Sequence, residues 1–235
     1  MLNFAGSALK GSDSMADDRI NSSYRQSRNI YDDVITQGPW WSRLYNRLFW
    51  AGVRDWDITQ AMLARIPADF SGKILDVPAG TAVFTWEKYK ELSAAEITCL
   101  DKSPDMLAQS RARFQENDLN NIKTIEGDVG CLPFDDGAFD IVLSMNGFHA
   151  FPDKDAAARE MRRVLRPGGQ LIACFYIRGK SRRTDWLVNS VLARKGWFTP
   201  PFETEESLRQ HLSSGYRLEE FCVRGSLVWF CAVKL

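Results

Sequence analysis

From residue 72 onward the chain alternates short apolar runs with helical stretches, and this alternation limits the possible folds more than any other feature. Lys73–Val77, Glu96–Leu100, Asn121–Glu126, Phe139–Met145 and Gln170–Ile177 read as strands. Nearly continuous apolar content over so few residues marks strands covered on both faces. Between them, Trp86–Leu92 can be helical, and Ser103-Pro104 opens a helix to about Asn117, with serine as cap and proline in the first turn. Asp153 caps a further helix whose Ala157, Met161, Val164 and Leu165 share one face, and Pro167-Gly168-Gly169 stops it. Such a succession predicts an α/β fold, a doubly wound and mostly parallel sheet. The end of the chain departs from it. Thr204 caps a helix to about Leu212, and Tyr216–Val223 and Ser226–Val233 then flank Arg224-Gly225. A connection that short joins antiparallel strands, so the sheet has seven strands and ends in an antiparallel hairpin.

The first quarter follows a different pattern. Residues 1–18 carry no periodicity and read as a disordered tail. Residues 19–37 suit one polar helix ended by Gly38-Pro39. Trp41, Leu44, Tyr45, Leu48 and Phe49 then recur as one face of an amphipathic helix. A second stripe, Ile58, Ala61, Met62, Arg65 and Ile66, is closed by Pro67. The expected organisation is a tail at 1–18, a helical cap over 19–70 and a ligand-binding α/β domain over 71–235.

Charge and cysteine content exclude several functions. Thirty basic residues balance thirty acidic ones, which removes the electrostatic case for a nucleic-acid or anionic-membrane binder. The longest apolar runs, Leu171–Ile177 and Leu227–Val233, have seven residues, against the ~20 that span a bilayer. Five widely spaced cysteines and two histidines offer neither a disulfide framework nor a zinc site, and no metal is expected. A reducing, cytoplasmic setting fits.

In an open parallel sheet, ligands sit beyond the carboxyl ends of the strands. The residues there are Asp76-Val77-Pro78-Ala79-Gly80-Thr81-Ala82, Asp101-Lys102-Ser103, Gly127-Asp128-Val129 and Asn146-Gly147-Phe148-His149. A carboxylate at the end of the second strand, Asp101, can accept from both hydroxyls of a ribose; complementing the dipole of the helix at Ser103 is the alternative role. Gly80 permits close approach of the backbone to a ligand. Asp128 can accept from an exocyclic adenine amine, with Val129 and Met106 against the ring, or it can simply cap its turn. A dinucleotide loop would need glycine at 78, 80 and 83, where the chain has Pro78, Gly80 and Val83.

The segments ILDVPAGTAVF, ITCLDKSPDML, IEGDVGCLPFDDGAFDIVLSMNGFHAF and MRRVLRPGGQL resemble, in order and spacing, the class I S-adenosylmethionine-dependent methyltransferases, especially the small-molecule ubiquinone/menaquinone-type group. The resemblance covers roughly residues 72–177 and implies a Rossmann-like fold with S-adenosylmethionine as cofactor and S-adenosylhomocysteine as product. It implies Asp76 and Gly80 at the methionine end, Asp101 on the ribose, Lys102 and Met106 beside the adenosine, Asp128 and Val129 on the adenine, and Asn146 beside the transferable methyl. Val77, Pro78 and Met145 complete the implied cofactor set. The family's D-x-G-x-G-x-G loop departs here at Pro78 and Ala82, while the central Gly80 is kept.

The implied reaction is methyl transfer to a small apolar or aromatic molecule. A cofactor-binding protein without catalysis, or an enzyme using the cofactor for other chemistry, remains an alternative. His149 is the candidate base, since imidazole titrates near neutral pH; the alternative is a neutral histidine bonded to the backbone. The acceptor pocket is expected from the aromatic helices of 19–66 and from the 178–201 connection with Trp186, Trp197 and Phe198, while Tyr24, Tyr31 and Tyr45 are possible contacts to the methionine moiety. The basic run Arg178, Lys180, Arg182 and Arg183 is expected to be a solvated loop.

Overall fold

A computed structural model of the chain describes residues 55–235. The expected tail, the 19–37 helix, the Trp41–Phe49 stripe, Tyr24, Tyr31 and Tyr45 lie outside the described residues. The described chain begins with helix α1 (Asp55–Leu63) and continues through β1 (Lys73–Asp76), α2 (Trp86–Glu91), β2 (Glu96–Asp101), α3 (Pro104–Glu116), β3 (Ile122–Glu126) and β4 (Phe139–Met145). Then come α4 (Lys154–Val164), β5 (Leu165–Tyr176), α5 (Arg182–Leu187), α6 (Glu205–Ser213), β6 (Tyr216–Arg224) and β7 (Leu227–Lys234).

The seven strands form one sheet in the order β3-β2-β1-β4-β5-β7-β6. The first five run parallel, and β7 inserts antiparallel between β5 and β6. Strand order reverses between β1 and β4, which opens a crevice beyond their carboxyl ends. Alternate residues serve opposite faces. Leu75, Val142, Leu171, Ala173 and Phe175 face α4 and α6, which contribute Ala157, Met161, Val164, Leu208 and Leu212. Ile74, Ile97, Leu143 and Ile172 face the other way, onto Met62, Leu63 and Ile66, Tyr89 of α2 and Phe114 of α3. Burial on both faces is why these strands read as unbroken apolar runs.

Caps set the helix starts where the sequence places them. Ser103 accepts from the Met106 N–H at 3.3 Å, Asp153 from Ala156 at 2.8 Å and Thr204 from Ser207 at 3.1 Å, each satisfying an N–H that has no partner within its helix. Four expectations need correction. The buried stripe at the start is Thr59, Met62, Leu63 and Ile66, while Ala61 and Arg65 are exposed; packing on the sheet fixes the phase of α1. Helix α4 ends at Val164, because Arg166 precedes a proline and is steered away from helical backbone. Strand β5 accordingly starts at Leu165, opposite Phe139, and pairing shifts before resuming at Gln170 opposite Ile141. The terminal hairpin turns on Gly225-Ser226, since Arg224 still pairs with Leu227; Gly225, at φ +58°, supplies the positive φ that a two-residue loop needs at its first position.

Residues 127–138 link β3 to β4 without regular structure, and side chains of α4 hold them. The Arg163 guanidinium donates to the carbonyls of Leu132 (3.0 Å) and Phe134 (2.7 Å) and pairs with Asp136 and Glu160. Glu160 accepts from the Leu132 N–H at 2.8 Å. Backbone groups that a helix would satisfy internally are met here by one ion pair.

Candidate active site

The carboxyl ends of β1, β2, β3 and β4 enclose one cavity with about 980 Å³ of empty space, part of it open to solvent. Asp76, Val77, Pro78, Gly80, Asp101, Lys102, Met106, Asp128, Val129, Met145 and Asn146 all line it. The topology brings together what lies up to seventy residues apart in sequence, because parallel strands deliver all their carboxyl ends to one edge.

Asp76 ends β1 and is 1% exposed. Its Oδ2 accepts from the hydroxyls of Tyr89 (2.6 Å) and Thr85 (3.1 Å), while its Oδ1 is buried with no partner among the described residues. Burial pushes its carboxyl up to about 7; the Tyr89 and Thr85 hydrogen bonds oppose the shift and the charge of Asp101 adds to it. Asp101 ends β2 and accepts from the N–H groups of Gly80 and Ser103, both at 2.8 Å. Burial raises its pKa, against those backbone bonds. Asp128 accepts from Gly130 N–H at 2.8 Å and pairs with Lys102 at 2.9 Å. These two partners outweigh its burial and hold the carboxyl below its ordinary value. The turn-capping role expected as an alternative for Asp128 is thus present, alongside a place on the cavity wall.

The first loop keeps its shape despite its departures. Gly80, at φ +54°, has nothing among the described residues within 4 Å of where a Cβ would stand, and it lines the cavity. Ala82 adopts φ +56°, the left-handed backbone of a glycine, at roughly 1–2 kcal/mol for a residue with a Cβ. Pro78 lies flat on Gly147: a Cβ added at 147 would stand 2.1 Å from Pro78 Cδ and 2.3 Å from its Cγ. The proline is fitted to a glycine at the end of the neighbouring strand, β4. Gly147→Ala is therefore expected to destabilise the protein by about 1–3 kcal/mol, as overpacking does. Pro78→Gly in the same chain should recover most of that loss, read as the coupling in a urea-unfolding double-mutant cycle.

Asn146 follows β4 at φ +55°, which asparagine tolerates better than most residues. Its Nδ2 is buried with no partner among the described residues. The apolar wall comes from Val83, Phe84, Phe151 and Pro152, none of which sequence reasoning singled out. They sit in loops without periodicity. The one local signal is aromatic content beside strand ends.

Two expectations fail on geometry. His149 does not line the cavity. A short 3-10 turn, Phe148–Ala150, swings its ring into the core. There it stacks on Phe198 at 4.1 Å and its Nδ1 accepts from the Tyr176 N–H at 3.4 Å. Burial, helped by the charge of Lys154, drops its pKa to about 3, which does not suit a base at neutral pH. The backbone-bonded neutral histidine is the role this geometry supports. The 178–201 connection is the second. Trp186 is 67% exposed, and Trp197 and Phe198 pack with Tyr176, Val188 and Phe202 in a separate cluster. The basic run is solvated, with Lys180 paired to Glu205 at 2.5 Å.

Residues 74–169 match the family model described as a methyltransferase domain. A demethylmenaquinone methyltransferase of Listeria welshimeri is 42% identical over 102 residues, 43% of this chain and 43% of that protein. The chain thus spans under half the length of the curated relatives it matches first. Among solved structures, the [4+2]-cyclase SpnF superposes with a TM-score of 0.70 at 17% identity, over 93% of this chain and 96% of that one. Phosphoethanolamine N-methyltransferase 2 of Haemonchus contortus, in complex with S-adenosyl-L-methionine, gives 0.64 at 17% identity, over 76% and 52%. At such identities the two superpositions establish a common fold.

Proposed function

Because residues 74–169 belong to the methyltransferase-domain family, we propose that the strand-tip cavity binds S-adenosylmethionine and that the chain transfers its methyl group to a small, ring-bearing apolar molecule. The observation that carries the reading is a pair of buried polar atoms on adjacent strand ends that have no partner among the described residues. Asp76 Oδ1 is an acceptor and Asn146 Nδ2 a donor, which is what the ammonium and carboxylate of an amino acid require. Next to them, Asp101 faces the cavity as an acceptor for ribose hydroxyls, and Met106 and Val129 offer apolar contact to a base. The residues present therefore fit the cofactor.

When bound, the cofactor supplies a methyl group already activated by its sulfonium charge. The protein's part is placement and exclusion of water. Asp76 and Asn146 hold the amino-acid end, and Asp101 fixes the ribose. Val83, Phe84, Phe151 and Pro152 form a dry wall against which a flat acceptor can lie. The acceptor class follows from that wall and from the quinone named for the Listeria relative. The zero net charge supports a small molecule over nucleic acid as acceptor. Among the described residues no helix is long and apolar enough to cross a membrane. A cytoplasmic setting keeps the five cysteine thiols reduced.

The test is incubation of the full chain with S-adenosylmethionine and a short-tailed demethylmenaquinol, following S-adenosylhomocysteine and the methylated quinol by mass spectrometry. Both products are expected in equal amounts. Cofactor binding by calorimetry with neither product formed would favour the binding-only alternative, and no cofactor binding would end the proposal.

A further inference from the structure

A second cavity lies on the sheet face covered by α4 and α6. It holds about 970 Å³ of empty space, part of it open to solvent, and shares no lining residue with the strand-tip site. The floor is a run of rings: Phe148 stacks on Phe175 at 4.7 Å, and Phe175 meets Phe230 edge-on at 6.1 Å. Into this apolar floor the chain sets one hydroxyl. Ser144 on β4 is fully buried and lines the cavity, and its Oγ has no partner among the described residues. Buried polar atoms are nearly always satisfied, so a hydroxyl kept here points to a ligand oxygen.

The rim adds charge. Arg159 and Arg162 on α4 line the cavity and form no ion pair among the described residues. Arg162 is held in place, its guanidinium lying over Gly215 and 6.0 Å from the Tyr216 ring. Of the rim carboxylates, Glu203 is engaged by His211 at 3.2 Å and by the Ser207 hydroxyl. Asp155 lies one turn before Arg159, about 6 Å along the helix, with no ion pair between them, and roughly 10 Å before Arg162. Because α4 returns antiparallel to β4, Ser144 near the end of its strand and Arg162 near the end of its helix fall towards opposite ends of the cavity.

We propose that this cavity is a second ligand site, for a flat aromatic acid bearing a hydroxyl at the end opposite its carboxylate. The rings lie on the phenylalanine floor, the hydroxyl meets Ser144 Oγ, and the carboxylate meets Arg159 and Arg162. The site does not depend on what the strand-tip cavity binds.

The experiment is calorimetry of the full chain with 4′-hydroxybiphenyl-4-carboxylate. One molecule should bind per chain. Biphenyl-4-carboxylate, lacking the hydroxyl, should bind about 3- to 10-fold more weakly, and Ser144→Ala should erase that difference. Ala158→Trp, on the exposed face of α4 at the cavity mouth, should abolish binding, and Arg159→Gln with Arg162→Gln should weaken the acid selectively over 4-hydroxybiphenyl. S-adenosylhomocysteine affinity should be unchanged in all of these variants. No binding by the unaltered chain, or binding indifferent to both the tryptophan and the paired glutamine changes, would overturn the proposal. Loss of S-adenosylhomocysteine binding in the unaltered chain would instead count against the strand-tip reading alone.

Discussion

Asp101→Ala is expected to weaken binding of S-adenosylmethionine and S-adenosylhomocysteine alike by at least about 100-fold. The carboxylate is already aimed: Gly80 and Ser103 N–H groups hold one oxygen each, so no ordering is required when a ribose arrives. A carboxylate has about four acceptor positions; the backbone groups of Gly80, Ser103 and Lys102 engage it from the protein side, and its cavity-facing lone pairs are left for the diol. Hydrogen bonds to a charged group contribute about 1.5–3 kcal/mol each, so losing two at the low end already amounts to about 3 kcal/mol. Asp101→Asn keeps one acceptor oxygen without the charge and should fall between the alanine variant and the unaltered chain. Titration calorimetry reads all three. Equal affinities across the series would remove Asp101 from the ligand and leave it as the clamp between the first loop and α3.

Most of the sheet was legible because a strand buried on both faces must be apolar throughout, as FDIVLSM at Phe139–Met145 is. The strand-end carboxylates were legible for a related reason: Asp76 and Asp101 break an apolar run at its carboxyl end, where no core contact calls for a charge. What sequence periodicity could not supply was direction. His149 lies three residues after Asn146, yet the turn at Phe148–Ala150 sends the two side chains to different places. Phe84 and Phe151 line the cavity from loops, where spacing carries no information about facing. The stripe of α1 was misphased because Ala61 and Arg65 match a helical period as well as Thr59 and Leu63 do, and only packing on the sheet separates them. The first loop departs from the D-x-G-x-G-x-G pattern at Pro78 and Ala82. In the structure Ala82 holds the glycine-like backbone, and Gly147 opposite makes room for Pro78.

Two buried groups titrate in opposite senses, and removing either should give the protein a steep, mirror-image dependence of stability on pH. Asp76 shifts from 3.8 to about 7, so the folded state binds its proton more tightly than the unfolded chain does. Its contribution is complete below pH 3.8 and is lost as pH rises through about 7. His149 shifts from 6.5 to about 3 and is buried neutral. Its contribution is complete above pH 6.5 and is lost as pH falls through about 3. Each shift corresponds to about 4 kcal/mol across its window. Between pH 4 and 6.5 the two slopes oppose, so their sum is nearly flat in the unaltered chain. Asp76→Asn, which mimics the neutral acid, should leave a protein that gains about 3 kcal/mol as pH rises over that range relative to the unaltered chain. His149→Gln keeps an acceptor for the Tyr176 N–H but loses the ring stack on Phe198, a cost independent of pH. It should leave a protein that loses a similar amount as pH rises. Asp101, also shifted upward, is common to all three proteins and cancels in the comparison. Urea unfolding of the ligand-free chain at half-unit steps between pH 4 and 7 measures the slopes; parallel lines for the two variants would mean that neither group titrates as its burial requires.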